Sequence, residues 1–111
     1  MNKKIYICTP LKEEKFLLDK ISSEILKSGD FAFIPPTGQL LNKKVGAKLD
    51  KLMIEQCDEL WAFGMLGRDC SWEIGYATGL NKKVKIFISI ENKVILEEDW
   101  MLLIDAEIVE I

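Results

Sequence analysis

The chain contains no histidine. Histidine is the only side chain whose ordinary pKa lies between pH 5 and 8, so acid–base or nucleophilic chemistry near neutral pH must come mainly from carboxylates, cysteine or tyrosine. Cysteine is scarce as well, because Cys8, Cys57 and Cys70 are scattered and form no CxxC pair. A zinc site would need all three and a carboxylate, so we predict no metal site and a reduced, cytoplasmic protein.

Other absences narrow the class of protein. No apolar run approaches the roughly 20 residues of a membrane span, and the start MNKKIYIC lacks the longer apolar segment of a signal peptide. The net charge is −3 and there is no basic stripe, so neither nucleic acid nor a membrane is an expected partner. GxGxxG and P-loop motifs are missing, so we predict no dinucleotide or other cofactor and no nucleoside triphosphatase activity.

The 111 residues correspond to a single domain, residues 1–111, of ordinary globular composition. Strand-like and helix-like segments alternate with short connections, which predicts a parallel sheet with helices on both faces. Right-handed crossovers favour a small doubly wound α/β fold, flavodoxin-like or Rossmann-like, with four to five strands in the order 2-1-3-4-5. The predicted strands are 3–8, 31–34, 59–63, 84–90 and 107–111, and the predicted helices are 12–28, 43–57, 71–81 and 97–104.

Apolar spacing predicts which helix faces turn inward. The expected inward residues of the first two helices are Leu17, Leu18, Ile21, Ile25, Val45, Leu49, Leu52 and Met53. The third helix places three more expected core residues on one face: Trp72, Tyr76 and Leu80. Gly75 and Gly79 in the same helix cost stability, so they suggest close helix–sheet packing or a close contact between subunits.

Open parallel sheets bind their ligands at the carboxyl ends of the strands, where the strand order reverses. Strands one and three are central in the predicted order, so residues 8–10 and 63–64 should flank the ligand crevice. Glu73 follows at the opening of the third helix and is the leading candidate for chemistry. The helix dipole also favours an acid there, so a purely structural role stays open. Tyr6 and Asp50 also have structural alternatives, because Tyr6 could be an ordinary core residue and Asp50 an ordinary surface residue.

Cysteine is a weaker candidate nucleophile than Glu73, because no histidine is present to activate a thiol. Cys8 lies in a predicted strand and is expected to be a small buried residue. Cys70 lies in the loop before Glu73 and is expected to be partly exposed.

Three separated elements form a pattern over nearly the whole chain. The opening strand reads IYICTP (5–10), Asp50 lies eight residues before Asp58, and the third helical region reads CSWEIGYATGLNKKV (70–84). This order and spacing resembles the nucleoside 2-deoxyribosyltransferase superfamily, which includes deoxynucleoside 5′-monophosphate N-glycosidases. The opening strand is similar to the family's IY-x-x-G-P or YFCGS, and Glu73 takes the place of the family's nucleophile.

The resemblance implies an enzyme that cleaves or exchanges the N-glycosidic bond of a nucleoside or nucleotide. By the same resemblance Glu73 would be the nucleophile, and Asp50 would protonate or hydrogen-bond the departing base. Tyr6 would orient the nucleophile or the sugar, and Lys12 would meet a 5′-phosphate. Such cleavage builds positive charge on the sugar, and a carboxylate below the anomeric carbon can stabilise that charge or form a glycosyl ester.

The expected substrate contacts lie at the strand ends and in the loop before the third helix: Cys8, Thr9, Lys12, Gly64, Gly67, Arg68 and Asp69. Two of these positions depart from the family's pattern. Thr9, followed by Pro10, replaces the family's strand-one glycine, and Gly67 replaces a serine or aspartate that contacts the sugar or phosphate. Arg68 is a candidate for a phosphate contact in its place. The glycine-containing helix is compatible with a homodimer or larger homo-oligomer.

Three hypotheses about function result. The leading one is an N-glycosidase or 2-deoxyribosyltransferase that acts through Glu73, with hydrolysis and base exchange both open. The second is a non-catalytic nucleotide-binding or sensor module that keeps the fold. The third is a flavodoxin-like interaction domain, which predicts no crevice lined by Tyr6, Asp50 and Glu73.

Overall fold

The computed structural model describes residues 2–8, 15–34, 43–63, 68–88 and 106–110. Eight elements follow one another: β1 (Lys4–Cys8), α1 (Lys15–Lys27), β2 (Phe31–Phe33), α2 (Lys43–Gln56), β3 (Glu59–Phe63), α3 (Arg68–Gly79), β4 (Lys83–Ile88) and β5 (Ala106–Glu110). Each corresponds to a predicted element, although α3 begins earlier than residue 71. The helix predicted over 97–104 lies outside the described residues.

All five strands run parallel, in the order β2-β1-β3-β4-β5. The predicted doubly wound α/β class and the predicted strand order are therefore confirmed. In the central pair Tyr6 lies opposite Leu60 and Cys8 lies opposite Ala62, while β2 places Phe33 opposite Tyr6. The carboxyl ends of β1 and β3 thus meet at one edge of the sheet, where the chain reverses its direction of strand addition.

Strand alternation divides the core into two clusters, one on each face of the sheet. On one face Ile5 and Ile7 of β1 pack with Ile25 of α1. On the other face Tyr6 and Cys8 of the same strand pack with residues of α2 and α3. Helices therefore cover both faces, as predicted, and the α2–α3 face receives the side chains near the carboxyl end of β1. Within the described part of the chain, no helix is long and apolar enough to cross a bilayer.

The inward faces of α2 and α3 follow the same helical spacing, i, i+3, i+4 and i+7. In α3 the inward residues are all buried: Cys70, Glu73, Ile74 and Ala77. In α2 and directly after it the corresponding residues are the half-buried Asp50 and Met53 and the buried Ile54 and Cys57. Each inward face therefore carries one carboxylate among apolar side chains.

Two expected inward stripes are wrong in part. Four expected core residues lie on the surface, with 38% to 53% of their area exposed: Val45, Leu52, Trp72 and Leu80. The prediction assigns the most apolar stripe of each helix to the inward face. In the structure the neighbouring stripe, which includes Asp50 in α2 or Glu73 in α3, packs against the sheet. A helix docks with the face that fills the space above the sheet, and its most apolar stripe need not be that face.

Cys70 is also buried, at 4% exposure, rather than partly exposed. The reason is the earlier start of α3 at Arg68, which puts Cys70 inside the helix on its inward face. The prediction of close helix–sheet packing at Gly75 and Gly79 is wrong as well. A Cβ atom at either glycine would meet nothing within 4 Å, and both residues are exposed.

Two left-handed residues end the helices α1 and α3. Gly29 has a φ of 84° and Asn81 a φ of 60°. Beyond them, the amide of Asp30 donates to the carbonyl of Ile25 at 3.1 Å, and Lys82 donates to Ala77 at 2.9 Å. These bonds satisfy helix carbonyls that would otherwise be unpaired, and they turn the chain directly into β2 and β4.

Candidate functional site

The carboxyl half of β1 presents two side chains to α3. Successive residues of a strand point to opposite faces, so Tyr6 and Cys8 share one face while Ile5 and Ile7 occupy the other. Tyr6 is fully buried and Cys8 is 2% exposed. Tyr6 is paired in register with Phe33 of β2 and Leu60 of β3, and Cys8 is paired with Ala62 of β3.

Glu73 is the sixth residue of α3 and lies on its inward face, with only 6% of its area exposed. The effect of the helix dipole fades after the first turn, so dipole compensation does not account for an acid at this position. Burial of an ionised carboxylate costs on the order of several kcal/mol unless hydrogen bonds compensate. The groups around Glu73 therefore decide its charge and orientation.

Two groups of β1 reach the Glu73 carboxylate. Cys8 Sγ donates to Glu73 Oε1 across 3.9 Å, a weak sulfur hydrogen bond inside the core. Burial in the first place, and then the nearby Glu73 carboxylate, raise the pKa of the Tyr6 hydroxyl far above its usual range. Tyr6 Oη forms no hydrogen bond with any group of the described residues. The interaction between Tyr6 and Glu73 is therefore mainly electrostatic.

Asp50 is a second carboxyl group within electrostatic reach of Tyr6. Ionisation of Asp50 acts in the same direction as ionisation of Glu73 and raises the pKa of Tyr6 further. Tyr6 therefore keeps its proton at neutral pH and serves as a hydrogen-bond donor. The fold thus brings Tyr6, Cys8, Asp50 and Glu73 to one place, a convergence that the interaction-domain hypothesis does not predict.

Sequence reasoning missed one residue beside this cluster. Phe33, at the end of β2, stacks on the Tyr6 ring with 5.6 Å between the ring centroids and 30° between the planes. The two residues are paired in register across β1 and β2. An aromatic at the end of the strand predicted beside strand one was the signal that could have identified it.

For the remaining predicted site residues, the structure does not describe the position of the side chains. Thr9, Lys12, Gly64 and Gly67 lie outside the described residues. Arg68 and Asp69 form the first two positions of α3. Their expected contacts with a substrate stay predictions. In the described parts of the chain no group of three histidine, cysteine, aspartate or glutamate side chains could hold a metal ion.

The other buried carboxylate of the described residues, Glu59, has different surroundings. It faces the α1 side of the sheet, accepts from Trp61 Nε1 at 3.0 Å, and pairs with Lys3 Nζ at 3.0 Å. Burial alone would raise the pKa of Glu59, but hydrogen bonds from Trp61 and Lys3, together with the charges of Lys3 and Lys85, lower it. Glu59 is thus part of a structural ion pair at the end of the sheet away from Cys8 and Glu73.

No protein-family model and no curated protein sequence matches the chain. Solved structures do. The CMP N-glycosidase of Clostridium botulinum superposes with a TM-score of 0.71 at 20% identity, over 98% of this chain and 89% of its own. The 2-desoxiribosyltransferase of Leishmania mexicana has a TM-score of 0.66 at 21% identity, over 77% of this chain.

A third structure, the 2-deoxyribosyltransferase of Bacillus psychrosaccharolyticus, has a TM-score of 0.59 at 25% identity, over 76% of this chain and 71% of its own. The chain spans less than two thirds of the Leishmania protein, 63% of its length. These likenesses confirm, at the level of the fold, the resemblance to the nucleoside 2-deoxyribosyltransferase superfamily.

Proposed function

We propose that this chain, which shares the fold of 2-deoxyribosyltransferases and a CMP N-glycosidase, cleaves or exchanges the N-glycosidic bond of a nucleoside or nucleotide. The observation that carries the proposal is the buried Glu73 carboxylate, which lies against Tyr6 and Cys8 near the carboxyl end of a central strand. Burial of a carboxylate in an apolar core lowers the stability of the fold. The same carboxylate can stabilise a transition state that develops positive charge, which would explain why it is present.

In the proposed reaction a Glu73 oxygen attacks the anomeric carbon while the bond from that carbon to the base nitrogen breaks. The bonding electron pair leaves with the base, which takes up a proton from the protonated carboxyl group of Asp50. Water, or an N–H nitrogen of a second base, then attacks the anomeric carbon of the glycosyl ester, gives its proton to Asp50 and releases the Glu73 carboxylate. Hydrolysis and base exchange differ only in this second attacking group.

Tyr6 has a separate part in the proposal. Its raised pKa keeps the hydroxyl protonated, so it is a donor beside the carboxylate rather than a base. A donor at this position holds Glu73 in one orientation under the sugar and favours its ionised form. Preorganised groups of this kind reduce the reorganisation that the reaction would otherwise require.

The finer parts of the proposal concern substrate and surroundings. Lys12, which follows β1 in the sequence, and Arg68, the first residue of α3, would supply the positive charge for a 5′-phosphate. The three cysteines of the described residues are free thiols, which fits the reduced cytoplasm where nucleotides are found. We expect no cofactor, because each step uses protein carboxylates and a hydroxyl.

We propose further that two copies of the chain associate through the outer face of α3. Trp72 on this face and Leu80 directly after the helix are 39% and 38% exposed, and Gly75 and Gly79 add no side chain to the helix surface. Exposed apolar side chains around small residues allow a close approach between helices. This arrangement replaces the close helix–sheet contact that was expected for the glycines.

A direct test is incubation of the purified protein with deoxynucleosides, ribonucleosides and their 5′-monophosphates, with and without a second free base. Released or exchanged base is measured by chromatography. We expect release from at least one substrate and its loss in Glu73→Gln. Glu59→Gln, which changes the other described buried carboxylate, is the matched control and should stay active. Folded protein that releases no base from any compound would contradict the proposal.

A binding or sensor module is the second candidate, because Thr9 and Gly67 depart from the family's pattern at expected substrate contacts. It predicts that a nucleotide raises the melting temperature while no base is released. Turnover that disappears in Glu73→Gln excludes this candidate.

A further inference from the structure

We propose that Cys8 is a positioning residue, whose thiol proton holds the Glu73 carboxylate in place and in its ionised form. This inference rests on the proposed role of Glu73, and it assigns to Cys8 a contact with the nucleophile in addition to a place at the crevice. The alternative is that Cys8 is only a small buried residue that fills the core.

The geometry supports a fixed contact between the two side chains. Cys8 is the last residue of β1, is 2% exposed, and lies opposite Ala62 of β3. Its Sγ is 3.9 Å from Oε1 of Glu73, which is itself 6% exposed. The backbone of Cys8 is paired with β3 and its side chain is packed in the core. The position of the thiol is therefore fixed.

The direction of the hydrogen bond follows from the chemistry of the two groups. An ionised carboxylate can only accept, whereas a thiol can donate. A thiolate this close to Glu73 would place two negative charges together in the core, so the sulfur keeps its proton. A donor to the charged form of an acid stabilises that form, and Cys8 therefore favours the ionised Glu73 that a nucleophile requires.

Several groups surround the Tyr6–Glu73 pair and must be considered together. Among the described residues the titratable ones in this part of the core are Tyr6, Cys8, Asp50 and Cys70. The residues that β3 and β4 contribute to this cluster are apolar. The Tyr6 hydroxyl and the Cys8 thiol both favour the ionised form of Glu73, because each can donate a hydrogen bond. Removal of one donor should therefore shift the balance toward protonated Glu73.

The test compares Cys8→Ala, Cys8→Val and Cys8→Ser with Cys57→Ala. Alanine and valine remove the donor, and valine keeps most of the volume if the alanine variant is too unstable. Serine restores a donor. Cys57 is equally buried in the same cluster, at 2% exposure, but lies beyond the end of α2, at the opposite edge of the sheet beside Asp58. It therefore controls for loss of a core thiol as such.

We expect two readouts to move together in the donor-free variants. The acid limb of kcat/KM should shift to higher pH by about half a unit to one unit, the size expected for a weak hydrogen bond to a charged group. The carboxyl signal of Glu73, followed by NMR and assigned with Glu73→Gln, should titrate at a correspondingly higher pH. Cys8→Ser should return both to the wild-type position, and Cys57→Ala should change neither.

Wild-type titration of Glu73 in Cys8→Ala and Cys8→Val would overturn the inference. The NMR titration needs no substrate, so it tests the Cys8–Glu73 contact even if the protein releases no base. Conversely, base release that survives Glu73→Gln would refute the proposed nucleophile while leaving the measured Cys8 contact intact.

Discussion

At the scale of single residues, the two described buried glutamates show how surroundings separate a structural acid from a candidate nucleophile. Glu59 is paired with Lys3 and Trp61, and these contacts lower its pKa. Glu73 occupies an inward helix position beside a thiol and a tyrosine hydroxyl. A hydrophobic residue would pack better at such a position, so Glu73 favours a chemical role over a stabilising one.

The first prediction concerns Glu73→Gln. The neutral amide cannot form a glycosyl ester, so base release should fall by about a thousandfold or more. Because a buried charge is removed, the free energy of unfolding at pH 7 should stay equal or rise by about 1 kcal/mol. Product assays and urea unfolding measure the two effects. Loss of activity together with a large loss of stability would point instead to a structural role for Glu73.

The second prediction concerns Glu59→Gln, which should destabilise the fold by roughly 1–3 kcal/mol at pH 7, since it removes hydrogen bonds to a charged group. The pKa of Glu59 is lowered in the folded state, so its contribution is fully present above the ordinary glutamate pKa of 4.5, which applies to the unfolded chain. That contribution is lost as the pH falls through the lower, folded-state pKa. Urea unfolding of both proteins from pH 7 to pH 3 should show the difference shrinking on the acid side. A constant difference would contradict the ionic origin of this stabilisation.

At the scale of elements, the site depends on the two-residue alternation of β1 and on the inward faces of two helices. The alternation puts Tyr6 and Cys8 on the α2–α3 face. The spacing i, i+3, i+4 and i+7 puts Asp50 and Glu73 among the inward residues of α2 and α3. Each element thus brings polar groups to the core through the same periodicity that buries its apolar residues.

The third prediction concerns the stack of Phe33 on Tyr6 across β2 and β1. Phe33→Leu keeps an apolar side chain but removes the aromatic contact, worth about 1 kcal/mol. We expect the freed Tyr6 ring to orient Glu73 less well, so that kcat falls roughly three- to tenfold with little change in KM.

Phe87→Leu is the matched control for Phe33→Leu. Phe87 packs on Trp61 at 5.2 Å between centroids, on the other face of the sheet. It should lower the melting temperature by a similar amount without changing kcat. Equal kinetic effects of the two substitutions would show that the loss reflects stability rather than the position of Tyr6.

The sequence predicted the helices and strands more accurately than it predicted which face of each helix is buried. The alternation of strands and helices predicted the eight observed elements and the strand order, because both follow from local periodicity and crossover rules. Val45, Leu52, Trp72 and Leu80 were placed wrongly, because rotation of a helix about its axis is decided by contacts with the sheet. The same rotation buries Glu73, so its depth in the core was not predictable from its spacing alone.

At the scale of the whole molecule, the outer surface of α3, together with Leu80 directly after it, carries exposed apolar side chains. Its exposed Trp72 and Leu80 contrast with the buried Ile74 and Ala77 on the inner side. The inner side carries the proposed site, and the outer side is the face that we propose contacts a second copy. Assembly through α3 would therefore couple the position of Glu73 to the contact between subunits.

The fourth prediction is that Trp72→Glu weakens self-association. The wild-type chain should be a dimer at micromolar concentration, and a charge in the apolar contact should yield monomers. Leu26→Glu is the control, since Leu26 is 62% exposed on α1, on the other face of the sheet. Light scattering after size-exclusion chromatography measures both. A monomeric wild-type chain, or equal behaviour of the two variants, would refute the proposed contact.

The sequence by itself determined the class of fold, the order of the strands and the candidates Tyr6, Asp50 and Glu73, because these depend on periodicity and on motifs along the chain. Only the tertiary structure decided that Glu73 is buried, that Cys8 lies 3.9 Å from its carboxylate and that Phe33 stacks on Tyr6. These contacts join residues of different elements, such as Cys8 and Glu73, which are 65 positions apart. Their distances are set by sheet register and helix docking, which act between segments rather than along them.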